Sequence, residues 1–234
     1  MKILAIGIFG ALLAALCVSC ANTAEIGLSK NEVRAAAFYC DHSPWCNLVA
    51  AEKAWPIATD RQETIPVTNG AFLLQLPRNI DRLHIAGTPP TVIASYADYR
   101  ISASLETVHN FGLLALENEA SPTPSDGKYR PPDYFEIMFT KTLADPEPEH
   151  RFDRKLWRAV FVRKSSSKYS LITDAEIYRR GPWTIYMANM GGIAHERETI
   201  FIHRDQPDAY LRVYDIHAPK SIILDLIATV ALDR

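Results

Sequence analysis

The residues best suited to chemistry form a short charged run, His195-Glu196-Arg197-Glu198. A helical zinc protease needs a second histidine four residues after the first, so that both imidazoles face one metal ion around the catalytic glutamate. Position 199 is Thr, so that second ligand is missing. We therefore predict that this run is a charged loop between strands and that it performs no catalysis.

A second candidate group is formed by His203 and His217, which lie on or beside two predicted neighbouring strands. There they could approach each other together with Asp205 or Asp215, as a metal site or an acid–base pair. Histidines without such a role are commoner, and we predict no metal ligands.

Other catalytic signatures are missing from the sequence. No Gly-x-Ser-x-Gly elbow of a serine hydrolase occurs, and Gly191-Gly192 is too short to be a phosphate-binding loop. We therefore predict no catalytic residues and no cofactor.

The N-terminus has the pattern of a secretory signal peptide. Lys2 precedes an uncharged apolar run, and small residues follow it, which predicts a signal over residues 1–19. The run to Thr23 is long enough for a retained membrane anchor, the alternative, but glycines and alanines dilute its apolarity.

The end of this segment, Val18-Ser19-Cys20, resembles a bacterial lipobox, although Cys17 stands where that motif usually has Leu. The resemblance implies that Cys20 is lipidated and anchors the protein in the periplasm. Ala21 after it implies the outer membrane. Cleavage near Ala21, with release as a soluble periplasmic or secreted protein, remains the alternative.

Cys40 and Cys46 enclose five residues. In an oxidising compartment we expect a disulfide. By restricting the unfolded chain, it would raise the free energy of unfolding by about 2–3 kcal/mol. Asp41 and His42 lie inside the loop, so a metal or redox site is the alternative. Redox cysteines are usually two residues apart and zinc ligands two to four, so the spacing favours the disulfide.

The composition is that of a folded globular protein. The 234 residues are 48% hydrophobic and 22% charged with a net charge of −2, which excludes a disordered chain. The chain also lacks the basic surplus of a nucleic-acid-binding protein.

Hydrophobic periodicity and turn signals predict helices and short strands. Ser29 and Glu32 form a capping box before a helix over 33–38. Asn69-Gly70 predicts a type I′ turn in a hairpin over 63–77, and Pro66 makes its first arm an edge strand. Further strands are expected over 83–86, 91–96, 100–105, 112–116, 169–179, 183–189, 198–204 and 209–216, and further helices over 133–143, 153–164 (with a strand over 157–162 as the alternative) and 222–232.

These elements predict the α+β class, with an antiparallel sheet packed between helices. We divide the chain into a signal peptide (1–19), an N-terminal helical segment with the Cys40–Cys46 loop (20–62) and an α+β domain (63–234). A proline-rich loop over 118–133 interrupts that domain.

Two stretches resemble known families. The segments Trp183–Tyr186, Glu198–His203 and Tyr210–Tyr214, with the closing helix, look like the PsbP-like fold of exported proteins. Gly70–Pro77 resembles the opening strand of periplasmic immunity proteins that neutralise type VI secreted lipases. Both resemblances imply binding or inhibition rather than catalysis.

Aromatic side chains beside loops favour a protein partner, because such residues dominate binding energies at interfaces. We expect Trp45, inside the small cysteine loop, and Tyr129, in the proline-rich segment, to be partner-binding residues. The sequence thus predicts a non-enzymatic cell-envelope protein that binds another protein. The specific candidate is an immunity or inhibitor protein against a toxin that acts in the periplasm, such as a type VI lipase effector. The alternative is a periplasmic hydrolase with an unrecognised site.

Overall fold

The computed structural model describes Cys40 and residues 43–59, 63–87, 90–107, 130–165, 171–191 and 195–233. The predictions for the signal peptide, Cys20, the helix over 33–38, the strand over 112–116 and Tyr129 lie outside these residues.

The described chain folds into strands and helices in the following order. The strands are β1 (Ala51–Lys53), β2 (Thr64–Asn69), β3 (Phe72–Pro77), β4 (Arg82–Ala86), β5 (Thr91–Ser95), β6 (Arg100–Thr107), β7 (Ile172–Arg180), β8 (Trp183–Met190), β9 (Glu196–His203), β10 (Ala209–Ile216) and β11 (Ala231–Leu232). The helices are α1 (Pro131–Thr140), α2 (Arg151–Ser165) and α3 (Lys220–Thr229), and a 3-10 helix spans Pro44–Asn47.

Two sheets organise these elements. The large sheet has the strand order β1-β7-β8-β9-β10-β6-β5-β4, and the small sheet has the order β11-β3-β2. All neighbouring strands pair antiparallel except β1 and β7, which are parallel. The predicted α+β class, with a mainly antiparallel sheet, is therefore confirmed.

Each face of the large sheet has its own core. On one face, α1 and α2 pack over the sheet around Phe135, Phe139 and Tyr186. On the other face, α3 shares the cover with the small sheet, whose Phe72 and Leu74 point inward. Helices therefore lie on both faces, as predicted, but only the first face is covered by helices alone. On the second, the β2–β3 hairpin has an apolar face of its own to bury, so it packs beside the helix.

The β2–β3 hairpin forms where the sequence predicts it, but with a different turn. Asn69 pairs with Phe72, so the loop residues are Gly70 and Ala71, and only Gly70 has a positive φ, at 61°. A type I′ turn needs positive φ at both loop positions, so that prediction was wrong. Glycine at the first position is what a type II′ turn requires. Pro66 does lie on an edge strand, as predicted.

Helix α1 begins two residues earlier than predicted, at Pro131, which corrects the expected start at Asp133. Proline is favoured at the first helical position because its φ is already helical and no amide there needs a partner. Helix α2 confirms the prediction over 153–164 and excludes the alternative strand.

The strands β7 to β10 confirm the four strands predicted over 169–179, 183–189, 198–204 and 209–216, and they form an antiparallel meander. Helix α3 ends at Thr229, before the predicted residue 232, because Val230 is extended and the following residues pair with β3 as β11. Within the described part of the chain, no helix is long and apolar enough to span a membrane.

Candidate functional site

Strand β4 lies at one end of the large sheet and pairs only with β5 among the described strands. All five of its residues, from Arg82 to Ala86, are exposed. Because each strand of a sheet can pair on two sides, half of the backbone N–H and C=O groups of β4 point away from β5. The strand therefore offers hydrogen-bonding groups along an open edge.

Two aliphatic side chains stand on one face of this edge. Leu83 is 46% exposed and Ile85 is 62% exposed. Their direct partners on β5 are Ala94 and Val92, which are buried. Directly paired residues share a face of the sheet. Leu83 and Ile85 therefore extend the apolar face of the large sheet past the part that is covered by α3 and the small sheet.

The opposite face of the same edge is cationic. Arg82 pairs with Ser95, which in turn pairs with Arg100, so both arginines lie on this face with the serine between them. His84 lies on the same face as Arg82. Both arginine side chains are exposed, and neither has an ion pair or a hydrogen bond with another described residue. Arg82 therefore lies at the open end of the sheet, and Arg100 lies on the same face of β6, two strands away, with neither side chain in an ion pair among the described residues.

The remaining described edges are protected in ways that β4 is not. Strand β1 has only three residues, and Glu52 at its centre pairs with Arg179. Strand β2 carries Pro66, which has no amide to donate, and β11 has only two residues. Short length and proline are among the usual means of blocking edge-to-edge pairing. Among the edges of the described strands, that of β4 is thus the most accessible for an additional strand.

The start of β4 is held firmly in place. The Asp81 amide donates to the Ser95 carbonyl at 2.9 Å. Tyr96 and Tyr99 stack with ring centroids 4.2 Å apart, and the Tyr96 hydroxyl donates to the Pro77 carbonyl. Burial raises the pKa of the Tyr96 hydroxyl, so this donor keeps its proton. These contacts fix the start of β4 against β5 and against β3 of the small sheet.

Trp45, predicted as an exposed binding residue, is instead fully buried. Its ring packs edge-to-face on Phe139 with centroids 5.1 Å apart. The large apolar side chain gains more from the core than from solvent, and the 3-10 helix that carries it turns it inward. The prediction of Trp45 as an interface residue was wrong. The other predicted binding residue, Tyr129, lies outside the described residues.

The predicted disulfide between Cys40 and Cys46 is present. Both cysteines are buried beside Trp157 and Phe161 of α2. The bridge therefore ties the 3-10 helix region to the helical face of the large sheet.

The most perturbed titratable group is Lys164 at the end of α2. Its side chain is fully buried, and Nζ donates to the Lys141 carbonyl at 2.6 Å. The ammonium also lies 4.9 Å from the ring centroid of Trp45 and 5.2 Å from that of Phe161. Burial lowers the pKa of Lys164 to about 7, against a weaker opposing effect of Asp145. A fully buried amine has no access to substrate, so we assign it to the core.

The two histidines expected to meet are separated by the direction of their strands. β9 and β10 are antiparallel, so His203 at the end of β9 and His217 after β10 lie at opposite ends of the pair. His203 packs against Trp183 with ring centroids 4.6 Å apart, and burial lowers its pKa. His217 approaches His195 instead, with centroids 6.3 Å apart. Among the described residues, no group of three or more possible ligands is close enough to hold a metal ion.

The charged run after His195 belongs to β9 and is not a loop, which corrects the prediction. The Tyr214 hydroxyl donates to Glu196, and Glu198 forms an ion pair with Arg212 at 2.5 Å. Each carboxylate is thus engaged with a neighbouring strand, which suits a structural role.

The third carboxylate of this region, Asp215, is fully buried and pairs with Arg197 at 2.9 Å. Arg197 also donates to the carbonyl of Ala218. Burial raises the pKa of Asp215, while the hydrogen bonds from Arg197 oppose that rise. This buried pair fixes the end of β10 against the segment that leads into α3.

A small cleft of about 340 Å³, a volume that includes open solvent, lies between the small sheet and α3. Its main polar groups are already paired with each other. The amide and hydroxyl of Thr59 both donate to the Asp225 carboxylate, at 2.9 and 2.7 Å. The cleft therefore offers little free hydrogen-bonding capacity to a ligand.

No protein-family model matches the chain, and no curated protein matches its sequence.

Proposed function

We propose that this chain is a non-enzymatic cell-envelope protein that binds another protein, with the edge of β4 as its main contact surface. One observation supports this above the others. An accessible edge strand combines open backbone hydrogen-bonding groups with two exposed aliphatic side chains, Leu83 and Ile85. Addition of a partner strand to such an edge is a recurrent mode of recognition, in which the main chain provides affinity and alternate side chains provide specificity.

Within this class we propose an immunity or inhibitor protein against a toxin that acts in the periplasm, such as a type VI lipase effector. The support is the resemblance of Gly70–Pro77, which includes β3, to the opening strand of such immunity proteins. An inhibitor of this kind covers its partner in a fixed stoichiometry and turns over no substrate.

For the location we propose a lipid anchor at Cys20 that holds the protein in the periplasm at the outer membrane. Replacing the lipidated cysteine in Cys20→Ala should move the protein from the membrane to the soluble fraction. Cys17→Ala is the matched control and should leave it in the membrane fraction. If Cys20→Ala still sediments with membranes, the lipid anchor is excluded.

Protection against a toxin tests the proposed function directly. The full chain is co-expressed with a periplasm-directed type VI lipase effector, and growth and lipase activity are measured. We expect protection by the wild-type chain and its loss in Ile85→Lys, since lysine on an edge strand blocks further pairing. Leu171→Lys is the matched control, because Leu171 is similarly exposed, at 54%, and does not lie on β4.

Titration of purified toxin with the chain separates inhibition from catalysis. Inhibition should be complete at a fixed molar ratio that does not change with incubation time. Protection at a small fraction of that ratio, increasing with time, would show that the chain is an enzyme and would refute the proposal.

A further inference from the structure

We propose that β4 accepts an extended partner segment in which acidic and aliphatic residues alternate, so that the segment becomes an additional strand of the large sheet. This inference rests on the proposed function, because it specifies the partner that the edge recognises.

The aliphatic half of the pattern follows from one face of β4. Side chains that lie directly opposite each other on antiparallel strands have Cβ atoms about 4.5–5.5 Å apart. Residues of an added strand opposite Leu83 and Ile85 would therefore rest against these side chains, which are about half exposed. Aliphatic residues at those positions remove this apolar surface from water.

The acidic half follows from the other face. The residues of the added strand that alternate with the aliphatic ones would lie opposite Arg82 and His84 of β4. Arg100 lies on the same face, on β6, two strands from β4. Since Arg82 has no ion pair among the described residues, a carboxylate opposite it gains a partner without displacing another. Asp81 and Asp98, exposed in the turns at the Arg82 end, disfavour further acidic residues beyond that end.

The same charges argue against a second copy of this chain as the occupant. Antiparallel pairing of two β4 strands centred on His84 would match Leu83 with Ile85, which is favourable. It would also place Arg82 opposite Ala86 and the two His84 side chains opposite each other. No carboxylate of the second strand would face Arg82, so the cations would remain unpaired. An acidic partner segment therefore fits the edge better.

Binding of synthetic peptides to the full chain tests the inference by fluorescence anisotropy. The probe is a fluorescein-labelled peptide that alternates glutamate with valine and isoleucine. The controls replace glutamate by lysine, scramble the order, or methylate alternate backbone amides. We expect the alternating acidic peptide to bind about tenfold more tightly than the lysine peptide, as expected for a few exposed ion pairs. We also expect weakened binding of the scrambled and methylated peptides.

Charge reversal on the protein provides the decisive variant. Arg82→Glu should reduce or reverse the preference for the acidic peptide, and Ile85→Lys should weaken every peptide. Leu171→Lys should bind as the wild type does. Circular dichroism of each variant shows whether it is folded.

The outcomes distinguish this inference from the proposed function. Equal binding of acidic and lysine peptides, or no effect of Arg82→Glu, overturns the inference. So does a concentration-dependent dimer that Ile85→Lys abolishes, because the occupant is then a second copy. If peptides fail to bind while Ile85→Lys still loses protection against the toxin, the inference fails and the proposed function stands. If Ile85→Lys protects fully, the edge is not the contact surface, even where a peptide binds it.

Discussion

Replacing the buried Lys164 by methionine should change how the stability of the protein depends on pH. The pKa of Lys164 falls from 10.5 to about 7 in the folded chain because its side chain is buried. Between these two values the unfolded chain holds a proton that the folded chain has lost, so this group makes the free energy of unfolding rise with pH. Below pH 7 both states are protonated, and the folded state bears the whole cost of a buried ammonium.

The structure gives the size of the effect. Each unit of pKa difference corresponds to about 1.4 kcal/mol, so between pH 6 and pH 9 the wild type should gain about 3 kcal/mol relative to Lys164→Met. The variant loses the hydrogen bond to the Lys141 carbonyl, which leaves that group unpaired at a cost of about 1–3 kcal/mol. We therefore expect Lys164→Met to be at least as stable as the wild type at pH 6 and to lose about 3 kcal/mol of its relative stability by pH 9, where the two proteins should be nearly equal.

Urea unfolding followed by tryptophan fluorescence at both pH values measures this difference. Lys141→Met is the matched control: its side chain is 48% exposed, so its effect should be small at both pH values. If Lys164→Met differs from the wild type by the same amount at pH 6 and pH 9, Lys164 keeps its proton in the folded state and the reasoning is wrong.

Three further predictions concern the core. Trp45→Ala should lower the free energy of unfolding by about 3–5 kcal/mol, and Trp45→Phe by clearly less, because the ring is fully buried. If calorimetry shows the same loss of stability in both variants, this packing is contradicted. Intact-mass measurement after alkylation should show two fewer free thiols in the native protein than in the reduced protein. Reduction of Cys40–Cys46 should lower the free energy of unfolding by about 2 kcal/mol. Unchanged stability after verified reduction would argue against this. Arg197→Met should cost about 3–5 kcal/mol at pH 7, because it leaves the buried carboxylate of Asp215 without its cation. The loss should be smaller at pH 5, since burial raises the pKa of that carboxyl and protonation removes the charge; a loss that grows on acidification would refute this account.

Local patterns predicted the meander and the hairpin well, because alternation and turn residues act over a few positions. Phe72 and Leu74 alternate with half-buried residues along β3, the pattern that places both on one face of a strand. The strands β1 and β11, of three and two residues, are too short to carry a pattern, and only distant pairing creates them.

The candidate site was harder to predict, because it depends on which strands become neighbours. The alternation at Leu83 and Ile85 predicted a strand, yet nothing local shows that β4 ends the sheet. Trp45 was misplaced for a similar reason: an aromatic residue in a small loop can face solvent or core, and only α1 and α2 decide which. The separation of His203 and His217 was predictable, since consecutive strands joined by a short turn run antiparallel and bring the end of one to the start of the other.

The pairing of Ala231 with Leu73 has a consequence for the order of events during folding. The small sheet gains its third strand only when residues from near the two ends of the described domain meet, and β1 likewise waits for β7. Forming such distant contacts requires the chain to close long loops, which costs conformational entropy before the contacts stabilise the fold. Chains with many of these contacts therefore fold slowly. A nascent chain that lacks its final strands cannot complete either sheet. The newly made polypeptide should therefore stay long in open conformations, with β4 and its apolar neighbours accessible to chaperones before the native sheet forms.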